Sequence, residues 1–315
     1  MTGDRTRYRR SMLRAVAIIT ATFALSVAWT TTAAAQALTP RAYWPAPKGT
    51  RVAVVGYSYV SGDVLLDPTT PITGVDSKIH TGVLGYLQTF SLWGRTTNVV
   101  VELPYSSGTT TGFVGDDPAR RDLSGFGDLG VTMSVNLIGA PTMTPADFQA
   151  LRADPHSIVG ASLKIIAPTG RYDPDRLINV GANRWAARLE LGTIIPFSPP
   201  WLIELHAGAW FLGDDDDYVA GRREQDPIFE VQAHLVRRFK PGFWASLDLN
   251  YFTGGRQTIG GEEQTVAQDN SRIGATVAVP FAGRHAVKIG YFTSLRTELG
   301  SDSDQFLVSY QALFR

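Results

Sequence analysis

The thirteen residues Gly125-Phe-Gly-Asp-Leu-Gly-Val-Thr-Met-Ser-Val-Asn-Leu137 decide the fold class. From Leu129 onward every second residue is apolar, and the residues between them are Gly, Thr, Ser or Asn. Successive side chains of a strand point to opposite faces of a sheet. The period of two therefore predicts a strand with one apolar and one polar face.

The same alternation recurs along the chain and predicts twelve strands. Several of these runs are ten or more residues long. A tilted strand needs about 9 to 11 residues to cross a bilayer, whereas strands of soluble proteins have about 5 to 6. The predicted strands cover 51–59, 80–93, 97–104, 125–137, 157–168, 185–195, 201–211, 229–235, 243–251, 273–279, 285–295 and 306–314.

Short and long connections alternate between these strands, as in outer-membrane barrels with short periplasmic turns and long outer loops. One periplasmic connection, 139–156, is long, and we expect a short helix under the barrel rim from Pro145 to Arg152. Both termini are then periplasmic. The predicted short turns are 94–95, 197–200, 240–242 and 281–284. The predicted outer loops are 61–77, 106–124, 169–184, 213–226, 254–269 and 297–304.

Aromatic residues near both ends of the strands predict two interfacial girdles. A soluble β-sandwich also alternates, but strand length, the loop pattern and the two girdles favour an all-β, transmembrane, antiparallel up-and-down barrel over residues 51–315. The lower girdle is predicted to contain Trp93, Phe197, Trp201, Phe239, Phe243, Trp244, Phe281 and Phe314. The upper girdle is predicted to contain Tyr57, Tyr59, Tyr105, Trp185, Trp210, Phe211, Phe229, Tyr251, Phe292 and Phe306.

Charged residues fix which strand face is the lumen. Each Lys or Arg that faces lipid at the midplane costs about 2 to 4 kcal/mol, so we expect the charged faces to point inward. There they would form salt bridges that stabilise a narrow barrel and also set what passes. The predicted lumen-lining residues are Lys164, Arg188, Glu190, Glu204, His206, Glu230, His234, Asp248 and Arg272.

The N-terminus predicts export. Five Arg residues precede an apolar run, Ala15 to Trp29, and small residues follow, so residues 1–37 are predicted to be a signal peptide cleaved after Ala35 or Ala37. Its removal leaves 24 basic and 28 acidic residues, a net charge of −4. The following residues, 38–50, contain three Pro and two aromatic residues, which fits either a plug or a disordered periplasmic tail equally well.

Other motifs predict no catalytic residue, metal or cofactor. The Gly125–Gly130 match to G-x-G-x-x-G lacks the helix that a dinucleotide site needs, so we interpret it as a loop-to-strand transition. The run Asp214–Asp217 is better explained as a solvated acidic loop than as a divalent-ion site. None of the five histidines stands in an H-x-S arrangement, and cysteine is absent. No basic patch points to nucleic acid.

Three short motifs carry a family resemblance. With Gly127-Asp-Leu-Gly130, Pro168-Thr-Gly-Arg-Tyr172 and Asn179-Val-Gly-Ala-Asn-Arg-Trp185, the chain resembles the transporter family named after the meta-pathway of phenol degradation. The resemblance implies an outer-membrane barrel that passes hydrophobic or aromatic compounds. It transfers no binding residues. One departure is the last residue, Arg315, because such barrels commonly end on an aromatic residue such as Phe314.

Together these observations predict a channel for small hydrophobic or aromatic solutes in the outer membrane of a Gram-negative bacterium. The expected partners are outer-membrane lipids, lipopolysaccharide and the barrel assembly machinery. A non-transporting barrel that acts in adhesion through its outer loops is the first alternative. An outer-membrane lipid hydrolase is the weaker one, since it needs a serine within reach of a histidine.

Overall fold

The structure is a computed structural model that describes residues 40–64, 72–114, 116–176, 178–298 and 301–314. The predicted signal peptide lies outside the described residues. Strands are β1 (Arg51–Val64), β2 (Ile72–Leu92), β3 (Arg95–Val114), β4 (Asp117–Phe126), β5 (Leu129–Ile138), β6 (Ile158–Ala167), β7 (Ala186–Ser198), β8 (Trp201–Leu212), β9 (Arg223–Gln225), β10 (Ile228–Lys240), β11 (Phe243–Gly254), β12 (Gln257–Ile259), β13 (Glu262–Glu263), β14 (Gln268–Phe281), β15 (His285–Arg296) and β16 (Ser301–Phe314).

Twelve of these strands close into one antiparallel barrel, because each pairs with two neighbours. The ring closes where β1 pairs with β16, with Arg51 opposite Phe314. The short strand β4 only adds to the far half of β3, and β9, β12 and β13 form a separate small sheet. The predicted twelve-stranded barrel is confirmed.

The predicted outer loops are wrong in part, because several of them are strand. The hairpin of β2 and β3 extends far beyond the barrel wall, and β4 pairs back onto it. Its hydroxyl groups meet across the strands, with Ser77 2.8 Å from Thr110 and Thr81 2.9 Å from Ser106. Polar composition suggested a loop there, but threonine is β-branched and also suits a strand. The predicted loops 213–226, 254–269 and 297–304 likewise contain β9, β12 with β13, and the start of β16.

The other end of the barrel has tight turns, as predicted. Turns lie at residues 93–94, 199–200, 241–242 and 282–284. At the first of them both Trp93 and Gly94 have positive φ, 50° and 73°. Two such residues in succession match the twist of the strands that they connect.

The long connection at this end contains the predicted helix, α1 (Pro145–Ala153). The Thr144 hydroxyl accepts a hydrogen bond from the Asp147 N–H, and the Asp147 carboxylate accepts one from the Thr144 N–H, which closes a capping box. The latter bond lowers the pKa of Asp147. No helix in the described part of the chain is long and apolar enough to cross a membrane.

An apolar belt surrounds the barrel. On β7 the outward residues Leu189 and Leu191 are exposed, and the girdle residues Trp185 and Phe197 lie six positions to either side of Leu191. Twelve residues span roughly 40 Å along a strand, or about 30 Å across a membrane when the strand is tilted by about 40°. That distance matches the hydrocarbon core of a bilayer.

Three residues assigned to the girdles are buried inside the barrel instead. Trp210, Trp244 and Phe292 occupy inward positions, and their side chains are at most 5% exposed. Each of them lies an even number of positions from an inward polar residue on the same strand, so its side chain also points inward. This alternation determines its orientation even though it lies near a strand end. Gly274 makes room for Phe292, because a Cβ at Gly274 would lie 2.1 Å from the Phe292 ring.

The three motifs of the family resemblance come together at the loop end. The first lies where the chain passes from β4 to β5, and the other two lie in the connection between β6 and β7. Strand β4, where a polar loop was expected, leads into the G-x-G-x-x-G match and ends within it at Phe126, and strand β5 begins at Leu129. The Asp128 carboxylate accepts hydrogen bonds of 2.8 Å from the N–H groups of Gly170 and Ala182. Gly170 also packs closely on Gly181: a Cβ at Gly170 would lie 2.8 Å from the Gly181 Cα. We call residues 127–130, 168–172 and 179–185 the motif cluster.

Asp215 extends the motif cluster, which corrects the interpretation of Asp214–Asp217 as a solvated run. Asp215 is fully buried and accepts hydrogen bonds from the Tyr172 hydroxyl (2.9 Å) and the Asn183 amide (2.8 Å). Burial and this carboxylate raise the pKa of Tyr172. The Arg223 guanidinium lies 3.3 Å from Asp215. One member of the acidic run thus anchors two motifs.

Placing a charge in the apolar belt should destabilise the barrel. We expect Leu191→Arg to lower the free energy of unfolding by about 2 to 4 kcal/mol, the cost of a cation at the membrane midplane. Urea unfolding in lipid vesicles measures the change. Val219→Arg introduces the same charge at an exposed loop position and serves as the control, with an expected change within about 0.5 kcal/mol. Equal effects of the two substitutions would contradict the assigned belt.

Removing the Asp128 carboxylate should open the motif cluster. Asp128→Ala leaves two partly buried N–H groups without their acceptor, at up to about 1 to 3 kcal/mol for each group. Trypsin should then cleave faster after Arg171 and Arg176, and gel analysis of the fragments measures the rate. Asp175→Ala removes the same charge from an exposed position in this segment and should leave cleavage unchanged. Unchanged cleavage of Asp128→Ala would show that this carboxylate does not hold the cluster.

Candidate functional site: the barrel interior

All nine predicted lumen-lining residues are buried inside the barrel. They alternate with lipid-facing residues, and none is more than 7% exposed. Eight of them lie at mid-height on the neighbouring strands β6, β7, β8, β10 and β11. Arg272, on β14, is opposite Asn250 and closer to the loop end, where it lies within electrostatic reach of Asp304.

Ion pairs connect the strands at mid-height. The Arg188 guanidinium contacts both Glu190 and Glu230, and the Lys164 ammonium contacts Glu102. These side chains are almost fully buried, so each charge is compensated by a partner within the barrel, as buried charges require. Glu102 lies on β3, whose irregular alternation hid this inward carboxylate from the sequence prediction.

Two histidines complete this layer. His234 Nδ1 is 2.8 Å from Asp248, which also accepts a 2.8 Å hydrogen bond from the Thr276 hydroxyl. The His206 ring stacks edge-on against Tyr43 at 5.2 Å and lies 5.2 Å from the His234 ring. Lys288 of β15, also missed from sequence, is buried within reach of the Asp248 charge. We call this set of mid-height charged residues the charged layer.

Apolar side chains lie above and below the charged layer on the same strands. Toward the loops, Ala186, Trp210, Ile228 and Phe252 form one buried cluster, which we call the upper collar. Toward the short turns, Ile194, Leu202, Val236 and Trp244 belong to another. Each of these strands therefore reads apolar, charged, apolar along its inward face.

The opposite side of the interior contains an apolar patch, next to buried polar side chains such as Ser58, Ser309 and Gln311. Strands β16, β1, β2 and β3 are neighbours, and their central position is nearly half a turn of the ring away from that of β7, β8 and β10. Seven of their inward side chains pack into one cluster, which we call the apolar wall. It consists of Val52, Val54, Val83, Leu87, Val100, Leu307 and Leu313.

Most of residues 40–50 lie inside the barrel at the short-turn end, and only Lys48 and Gly49 are exposed. The Tyr43 hydroxyl donates to Glu190 at 2.8 Å, and the Arg41 N–H donates to Glu204 at 2.6 Å. Two glycines form a slot for the Tyr43 ring, since a Cβ at Gly160 or Gly192 would lie 2.2 or 2.1 Å from ring atoms. A packed inner segment is thus present where the sequence left plug and free tail equally open.

Helix α1 closes the same end. Its buried residues Phe148 and Leu151 pack in one cluster with Tyr43, Trp44 and Leu202. The chain before β1 is tied to the wall by the Gly49 N–H, which donates to the Thr89 carbonyl at 2.9 Å. The base of the interior is therefore filled by protein.

One solved structure shares this architecture. An outer membrane channel from Pseudomonas putida F1 superposes with a TM-score of 0.71 at 22% identity, over 86% of this chain and 98% of that one. The β domain of the Bordetella autotransporter BrkA gives a TM-score of 0.49 at 13% identity, over 85% of this chain and all (100%) of that one. No curated protein sequence matches the chain. The fold and its apolar belt place the protein in the outer membrane of a Gram-negative bacterium.

The family comparison agrees with the motif cluster. The model of the family described as "Putative MetA-pathway of phenol degradation" matches residues 61–309, which include all three motifs and eleven of the twelve barrel strands in whole or large part. The chain belongs to this family.

Proposed function

We propose that the protein is an outer-membrane channel for small hydrophobic or aromatic solutes. The observation that carries the proposal is the apolar wall, which offers an uncharged surface across the interior from the charged layer. An apolar solute gains free energy when it leaves water for such a surface, whereas a polar solute would exchange water for valine and leucine side chains. The upper collar would admit the same class of solute from the loop end.

We further propose that residues 40–50 are the plug of this channel. Tyr43 is held by Glu190 and by the two-glycine slot, and it stands directly below the charged layer. Passage to the periplasm then requires this segment to move. Residues 1–37 remain predicted to be a cleaved signal peptide.

Two other functions have less support. Adhesion through the outer loops needs no filled interior, and it would not explain the slot that holds Tyr43. A lipid hydrolase would need a nucleophilic side chain hydrogen-bonded to a histidine. Among the described residues, no hydrogen-bond partner of His234 Nε2 is present. The proposed partners are the surrounding lipids, lipopolysaccharide, the solutes and the barrel assembly machinery.

Uptake by whole cells tests the channel. Cells that produce the protein should take up radiolabelled toluene faster than cells that lack it, and arabinose at the same rate. Val54→Thr adds a hydroxyl to the apolar wall and should slow toluene uptake about fivefold, equivalent to about 1 kcal/mol. Val55→Thr makes the same change on the neighbouring lipid-facing position and should have no effect. Equal toluene uptake with and without the folded protein would contradict the proposal.

Conductance in planar bilayers tests the plug. Gly192→Ala puts a methyl group into the Tyr43 ring, and overpacking of this kind costs about 1 to 3 kcal/mol, which shifts a docking equilibrium about 5- to 150-fold. We therefore expect longer and more frequent open events. Gly82→Ala is the control, because a Cβ at Gly82 has nothing within 4 Å. If Gly192→Ala and Tyr43→Ala both conduct like the unmodified protein, residues 40–50 are not the plug.

A further inference from the structure

A cavity of about 400 Å³ opens at the short-turn end, outside the charged layer. Its walls come from four places: the inner segment at Arg41 and Trp44, the last turn of α1, Pro200 of the β7–β8 turn, and the β10–β11 turn with the strand ends beside it. Ligand pockets in proteins have volumes of about 300 to 1,000 Å³, so the cavity has the size of a site for a small molecule. The residues that matter below are Arg41, Trp44, Arg152, Arg238, Phe239 and Trp244.

Three guanidinium groups line this cavity. Arg41 is at its base and 3% exposed, while Arg152 and Arg238 are half-buried in its walls. Arg238 donates a 2.8 Å hydrogen bond to the carbonyl oxygen of Arg152, which brings the two side chains to the same wall. Burial and the neighbouring Arg238 charge lower the pKa of Arg152 to about 10, so both groups are charged at neutral pH. The whole chain has 29 basic and 29 acidic residues, so this concentration of positive charge is local.

The donors of Arg41 are only partly used. Its guanidinium lies 3.8 Å from the Glu204 carboxylate, beyond hydrogen-bond distance. Among the residues that the structure describes, none accepts a hydrogen bond from Nε or Nη1 of Arg41, and both atoms are buried. Buried donors in proteins are nearly always satisfied, and a bidentate oxyanion is the partner that a guanidinium fits best.

Aromatic rings form the rest of the cavity. The Arg41 guanidinium stacks on the Trp44 ring at 3.8 Å and lies 6.0 Å from the Trp244 ring. Phe239 and Phe243 stack on each other at 4.7 Å on the rim. Flat apolar surfaces beside guanidinium groups suit a ligand that combines an anionic group with a planar apolar body.

We propose that this cavity is a binding site for small aromatic carboxylates, with Arg41, Arg152 and Arg238 around the carboxylate and the rings on the aromatic body. In the charged layer, by contrast, Lys164 and Arg188 already contact glutamates. The site faces the periplasmic end, so it would be filled from the periplasm or by a solute that leaves the barrel. Binding there does not require transport.

Titration of the folded, detergent-solubilised protein with benzoate tests the site, with tryptophan fluorescence and calorimetry as readouts. Benzoate should bind, and benzyl alcohol and inorganic phosphate should bind much more weakly. Arg152→Gln with Arg238→Gln should weaken benzoate binding about tenfold or more, the effect of losing a charged hydrogen-bond partner. Arg237→Gln is the matched control, because Arg237 is the neighbouring residue on β10 and lies outside, over the Trp201 ring at 5.3 Å.

The outcomes separate this proposal from the channel. Phosphate binding as tight as benzoate binding would overturn the aromatic carboxylate in favour of a general anion site. No benzoate binding to protein that still shows heat-modifiable migration, or equal binding by the double variant and Arg237→Gln, would overturn the site altogether. Toluene uptake reports on the channel alone, so it can fail while benzoate binds, and benzoate binding can fail while toluene enters.

Discussion

A backbone N–H or C=O group has no partner in the hydrocarbon of a membrane, and this constraint determines the rest of the structure. In a sheet it can be met only if every strand has two neighbours, which is why β1 must reach β16. Closure then divides all side chains into those that meet lipid and those that meet one another inside. The interior must accommodate the charged residues at the mid-height of the wall, and ion pairs such as Arg188 with Glu190 and Glu230 are the result.

The ring of twelve strands is small enough for its interior to be filled by side chains. Paired charges at mid-height make one side of that interior strongly polar, while valine and leucine residues give the other side an apolar patch. Because the two sides are nearly half a turn apart, the interior offers two different surfaces. The inner segment and α1 fill the base of the barrel. This filling, more than the width of the ring, determines whether the interior connects the two ends of the barrel.

The sequence was sufficient to predict which residues of a strand face inward, but not where each strand begins and ends. Alternation predicted seven charged residues and two histidines on the inward face, because a slip by one residue would put arginine in lipid. Strand ends and loops depend on pairing between distant segments, so the hydroxyl-rich outer part of the β2–β3 hairpin was predicted to be loop. Proximity to a strand end misplaced Trp210 and Trp244, which alternation alone would have placed correctly. Asp215 looked like any other member of an acidic run, because its partners Tyr172 and Asn183 lie far away in the sequence.

The position of Tyr43 has a consequence for assembly. Residue 50 leads directly into β1, and β1 is also the strand that meets the last strand of the chain. This contact is the most distant in sequence along the ring, so it carries the largest loop-closure entropy. The inner segment starts at the end of the barrel where β1 begins, and it reaches its slot without passing through a finished wall. The residues that fill the base of the barrel are therefore adjacent in sequence to the strand that closes it. A substitution in either segment is expected to affect both closure of the ring and packing of the base.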